Sequence, residues 1–299
     1  MAGYVDFTSA TATRWWKERL EHLRTETGID SFKFDAGEAN WMPSSYVLHS
    51  DTAETSTWPH AFTAAYVEAA AAFGGMIEVR VGRNTQHLPI FVRMLDKDSR
   101  WGYDNGLRTL VTTLLQMSFA GYPFVLPDMI GGNGYAGGLE DTELPSKELF
   151  VRWMQANVFM PAMQFSFVPW QYDQEVEPRS PSSLHSFSFP APWPRKEGFN
   201  TSFPKFLVFQ TIDHALAMTA LHASYAPLIV ELANNATTSG EPINRPVWWI
   251  DPKDTEALSM DDGDCTCSHQ SGGPSLKRRQ GLRPIEENYR DIYFQIEEV

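Results

Sequence analysis

Two periods alternate along the chain. From residue 11 to 27, Trp15, Trp16, Leu20 and Leu23 recur at helical spacing, and Gly28 follows where a left-handed C-cap would end the helix. The apolar run 29–34 then reads as a strand. The exchange repeats downstream: 61–72 reads as helix, 76–81 and 90–95 as extended, and Leu107, Leu110, Val111, Leu114 and Leu115 mark a helix face before a buried strand at 123–126. A helix over 146–158, a short strand at 162–165 and a long helix over 212–233 complete the pattern. Strands alternating with helices imply a parallel sheet in an α/β fold.

The five expected strands end near Asp35, Arg80, Asp96, Asp128 and Gln164, each a polar residue. A (β/α)8 TIM barrel builds its active site from the C-terminal ends of its strands, so this regularity favours a barrel. A doubly wound sheet usually carries a glycine-rich phosphate turn after its first strand, and this chain has none. Two segments break the rhythm. Residues 177–210, rich in proline and serine, and the tail 259–299 show no periodicity and read as loop and tail.

Composition narrows the partners. A formal net charge of -13 with a pI near 5.0 offers no basic surface for phosphates, so no nucleic acid is expected. Aromatic residues make up 13% of the chain, with ten tryptophans, which suits sugar stacking but more often means core packing. The two cysteines, Cys265 and Cys267, lack zinc spacing, so no metal, no cofactor and no disulfide framework are expected. No run of 18 consecutive apolar residues occurs, and no membrane segment is expected in this chain. Sequons at Asn200 and Asn235 are compatible with a secretory compartment.

Hydrolysis of a glycoside with retention needs two carboxyl groups about 5–5.5 Å apart, one nucleophile and one acid/base. Asp35 and Asp96, at the ends of different strands, could converge on one sugar. Taken alone, an Asp after a strand is more readily a turn residue or a helix cap.

The ordered blocks decide between these readings. Val5-Asp6-Phe7-Thr8, the run from Gly28 through Phe34-Asp35-Ala36-Gly37-Glu38, Glu78-Val79-Arg80-Val81-Gly82, Asp96-Lys97-Asp98 through Asp104, Gly121 through Asp128-Met129-Ile130-Gly131-Gly132-Asn133, and Phe159 through Gln164-Phe165-Ser166 resemble glycoside hydrolase family 31. Within it they resemble the branch of the myogenesis-regulating glycosidases, over residues 3–176 and 211–262. The resemblance implies Asp35 as nucleophile and Asp96 as acid/base, with Asp98 as rival. It makes Arg80 and Asp128 binders of substrate hydroxyls and puts Gln164 where α-glucosidases of the family commonly carry histidine. Arg80 is expected to double as the cation that keeps Asp35 ionised. Trp101, which follows the acid/base stretch, is the first choice for a stacking platform, ahead of Trp41, Trp153 and Trp170.

The branch implies a carbohydrate substrate, an α-galactoside before an α-glucoside, and a secretory setting, in the endoplasmic reticulum or membrane-anchored, for a full-length form. It also implies a partial barrel. The match begins near the end of the third strand and covers about strands 4 to 8, without the family's N-terminal β-sandwich and C-terminal β-domains. Residues 1–258 are thus expected to form the catalytic part, interrupted by 177–210, with 259–299 as an unmatched tail. A barrel short of strands exposes edges, so the alternative is a truncated, inactive member that binds sugar or a partner, or does not fold alone.

Overall fold

In the computed structural model, the described residues are 4–46, 48–49, 59–134, 144–173 and 211–249, with 252, 253, 255 and 258. The irregular segments 177–210 and 259–299, with Cys265, Cys267 and Asn200, lie outside them. The elements run α1 (Ala10–Thr27), β1 (Lys33–Phe34), α2 (Pro59–Ala71), β2 (Glu78–Val79), β3 (Phe91–Arg93), α3 (Leu110–Phe119), β4 (Val125–Leu126), α4 (Lys147–Asn157) and α5 (Thr211–Ser239).

The four strands form one parallel sheet in the order β1-β2-β3-β4. Parallel neighbours joined through helices are the repeating unit of a barrel wall. Phe34, Val79, Val92 and Val125 lie in register across all four strands, and all are buried. This row faces the helices. Phe34, Val79 and Val92 pack with Tyr66, Val67 and Ala70 of α2, while Val125 joins Leu110 and Leu114 of α3 and Phe150 and Trp153 of α4. Because side chains alternate along a strand, the next residue on each strand points to the other face. Those residues are Asp35, Arg80 and Arg93, then Leu126, which pairs with Arg93.

The fifth expected strand, 162–165, forms no ladder. Its segment meets the turn after β4, where the Ile130 N–H donates to the Gln164 carbonyl at 2.8 Å, too little pairing for a strand. The helix boundaries follow local chemistry. Ser9 caps α1, accepting from the Ala12 N–H, and Gly28 ends it at φ +70°. Ser146 caps α4 through the Leu149 N–H at 3.3 Å.

Asp173 anchors α5. Its carboxylate accepts from the Ile212 N–H at 2.9 Å and the Thr211 hydroxyl at 3.2 Å, and it pairs with Lys147 of α4 at 3.1 Å. The helix runs to Ser239, six residues past the expected end, until Gly240 at φ +74° stops it. Ala215, Ile229, Leu232 and Ala236 are buried, but little of its apolar surface is. At 29 residues α5 is long and apolar enough to cross a membrane by length and composition. The expectation of no membrane segment rested on unbroken apolar runs, and polar residues interspersed in α5 keep it from forming one.

Candidate active site

Asp35 emerges at the C-terminal end of β1, where the backbone turns sharply: Ala36 has φ +59° and Gly37 φ +94°. The turn is clamped to α2. The Tyr66 hydroxyl donates to the Asp35 carbonyl at 2.7 Å, and the Thr63 hydroxyl donates to the Gly37 carbonyl at 2.9 Å. A Cβ on Gly37 would lie 2.5 Å from the Tyr66 ring, so glycine is required there by space as well as by φ. Strained backbone of this kind persists where the surroundings over-determine it.

Two arginines converge on the Asp35 carboxylate. Arg80 Nη1 and Arg93 Nη2 each lie 3.2 Å from its Oδ1. The register explains the meeting, since Asp35, Arg80 and Arg93 are consecutive neighbours on one face of adjacent strands. The same pair holds Asp96, with Arg93 Nη1 at 2.9 Å from Oδ1 and Arg80 Nη1 at 3.3 Å from Oδ2. Arg80 Nε also donates to Glu38. Asp35 remains open, its side chain 56% exposed, and Asp96 is 33% exposed.

Arg93 was not among the residues expected at the site, yet it has the most partners there. Its side chain is 1% exposed and contacts four carboxylates, with Asp128 Oδ1 at 2.9 Å and Glu78 Oε1 at 3.1 Å completing the set. A signal for it existed. Arg93 interrupts the apolar run Phe91-Val92-Arg93-Met94-Leu95, and an arginine buried in such a run must be paired. Glu78 was equally unassigned. It links Arg93 to Gln164, whose Nε2 donates to Glu78 Oε2 at 3.0 Å.

Asp128, expected to bind a substrate hydroxyl, is fully buried. Its Oδ1 accepts from Arg93, and its Oδ2 accepts from the Lys97 N–H and Asn133 Nδ2. These bonds brace the loop after β3. The turn after β4 clasps that loop as well. Ser99 donates to the Gly131 carbonyl at 2.7 Å, and a Cβ on Gly132 would lie 2.8 Å from the Asp98 backbone. Asp98 itself points elsewhere, pairing with Arg100 Nε at 3.7 Å.

The tryptophans divide. Trp101 is half-buried against the core of α3 and α4, Trp153 is fully buried within that core, and Trp41 and Trp170 are exposed.

The electrostatics follow from these contacts. Burial alone would raise the Asp35 carboxyl, but the Ala36 N–H with Arg80, Arg93 and Lys33 outweighs it and holds Asp35 below the usual range. Burial pushes Glu78 up, against Lys33, Arg93 and Gln164, and the Asp35 charge adds to the rise. Burial likewise raises Asp128, despite its hydrogen bonds and Arg93. For both arginines burial works toward neutrality, and the surrounding carboxylates overcome it. Burial also pulls Lys97 down to about 8. An ionised carboxylate and a second carboxylate beside it, both held by two fixed cations, form an arrangement that nucleophilic and acid/base chemistry can use.

A family profile described as "Glycosyl hydrolases family 31 TIM-barrel domain" matches residues 1–184. The sequence is 40% identical to myogenesis-regulating glycosidase of Mus musculus, over 97% of this chain and 34% of that protein. It is 27% identical to the SITS-binding protein of Tetronarce californica, over 86% of this chain and 31% of that one. The chain therefore spans about a third of the length of these relatives. In fold it is similar to a family 31 sulfoquinovosidase from E. rectale, with a TM-score of 0.64 at 20% identity, over 88% of this chain and 35% of that chain. With the profile matching more than half of its residues and a parallel barrel wall beneath them, the chain belongs to glycosyl hydrolase family 31.

Proposed function

We propose that this chain carries the catalytic carboxylates of a retaining α-glycosidase, with Asp35 as nucleophile and Asp96 as acid/base. The observation that carries the reading is their shared cation. Asp35 Oδ1 and Asp96 Oδ2 lie 3.2 and 3.3 Å from the same Arg80 Nη1. Those two oxygens can therefore be no farther apart than the distances laid end to end, about 6.5 Å, which supports the close spacing of a retaining pair over the wider inverting one. Asp98, turned toward Arg100, lacks that relation.

In the first step the Asp35 carboxylate attacks the anomeric carbon, while the leaving oxygen takes the Asp96 proton. A water that gives its proton back to Asp96 then breaks the glycosyl ester. Arg80 and Arg93 keep Asp35 ionised for attack. In this reading Arg80 is the hydroxyl clamp beside the nucleophile, Gln164 reaches the site through Glu78, and Trp101 is the stacking platform carried over from the family resemblance. An α-galactoside is the first substrate of this reading and an α-glucoside the second.

The test is release of nitrophenol from aryl α-galactoside and α-glucoside, with the anomer of the first-formed sugar read by NMR. The α-anomer, lost in Asp35→Asn, is expected. Release of the β-anomer first would refute retention, and no release by folded protein would refute the reading.

One observation favours a non-catalytic member that binds sugar or a partner instead. Among the described residues the sheet has four strands, so β1 and β4 stand at its edges where a closed barrel has none. A cooperative melt with sugar binding but no turnover is the outcome this second reading expects.

A further inference from the structure

We infer that Arg93 is a positioning residue whose guanidinium fork is the spacer between the two site carboxylates, one nitrogen holding Asp35 and the other Asp96. This rests on the glycosidase reading for its consequence, though not for its geometry.

The fork is fixed on every side. Nη2 reaches Asp35 Oδ1 at 3.2 Å and Nη1 reaches Asp96 Oδ1 at 2.9 Å. Nη1 also donates to the Met94 carbonyl at 3.0 Å and to Asp128 at 2.9 Å, while Nε faces Glu78 Oε1 at 3.1 Å. Its side chain is 1% exposed, and Asp128 behind it is fully buried. Such a plane cannot rotate without uncovering a buried charge. Arg80 also touches both carboxylates, but through a single nitrogen, Nη1, with its Nε committed to Glu38. One point cannot set the direction between two groups. A planar fork can, because its two terminal nitrogens have a fixed separation and parallel donors.

The inference separates charge from shape. Lysine at 93 keeps a cation but replaces the fork by a point charge, while glutamine keeps donors and loses the charge. For Arg93→Lys, turnover of an aryl α-glycoside is expected to fall roughly a hundredfold, the cost of about 1 Å of misplacement, with KM little changed and the acid limb of the pH profile in place. For Arg93→Gln, the acid limb moves to higher pH as well, because Asp35 loses a cation.

A readout independent of turnover is the titration of the Asp35 carboxyl carbon by NMR in the full chain. Asp96→Asn removes a repelling charge as well as one claimant on the shared fork, so Asp35 is expected to titrate lower than in the unaltered protein, and by a smaller margin when Arg93→Lys has taken the fork away. Turnover in Arg93→Lys equal to that of the unaltered protein, or an Asp35 drop on Asp96→Asn of the same size with lysine at 93, would overturn the inference. The two claims fail separately. A protein that releases no sugar but whose Asp35 titration follows Asp96 more strongly with the fork intact keeps the spacer and loses the glycosidase. An active protein indifferent to Arg93→Lys does the reverse.

Discussion

Phe34 and Asp35 are neighbours in sequence and opposites in every other respect. Phe34 belongs to the in-register row with Val79, Val92 and Val125, which is apolar and covered by α2, α3 and α4. Asp35, one residue on, opens the row of Arg80 and Arg93, where charges hold one another in place. The first row is interchangeable in kind, since any well-fitting apolar side chain serves it. The second depends on charge type and geometry at each position. The fold and the chemistry are thus separated by one step along the strand.

That contrast can be broken by exchanging which face is damaged. Asp35→Asn is expected to lower turnover by at least about 1000-fold, equivalent to about 4 kcal/mol of barrier, while the melting temperature stays close to that of the unaltered protein. Phe34→Ala should do the opposite, losing about 3–5 kcal/mol of stability in denaturant titration. A Phe34→Ala protein as stable as its parent would show that the apolar row does not carry the sheet.

Asp128 tests whether the charged face is free of structural duty. It is fully buried and neutralises Arg93, so Asp128→Asn should cost about 3 kcal/mol, the low end for a broken buried pair because other carboxylates remain on Arg93. No loss of stability would mean that those carboxylates suffice.

A pH-dependent effect concerns Lys97, whose Nζ donates to the Thr109 and Thr113 hydroxyls beneath the loop after β3. Its ammonium is pulled from an ordinary 10.5 down to about 8. Between those values the unfolded chain binds more protons than the folded one, so stability should climb as pH rises from 8 to 10.5. Melts across that window should show the climb, and Lys97→Met should flatten it.

The apolar row was legible in the sequence because burial writes itself as periodicity. α1 and α4 fall within a residue or two of their expected ends, and all four paired strands lie inside their expected runs. The runs overstate the ladders: 76–81 shrinks to Glu78–Val79 because apolar character continues past the last paired residue. The 162–165 run had the right composition but gained only one backbone bond. That Asp35, Arg80 and Asp96 would meet was legible through motif resemblance. Arg93 and Glu78 were not, since each looks like an incidental charge until the register shows what stands beside it. The nearness of Asp128 to these residues was legible too, while its burial was not, because depth depends on the turn after β4 closing over the loop after β3.

The one-step separation of the rows has a consequence for how such a chain can vary. Substitutions act on one face at a time, and each face can drift under its own demands. A single inserted or deleted residue between Gly28 and Asp35 is a different kind of event, because it would slide β1 by one and send Phe34 inward and Asp35 into the helices. Length in that segment is therefore more constrained than identity. Lineages carrying this strand are expected to differ there by exchange of letters and almost never by their number.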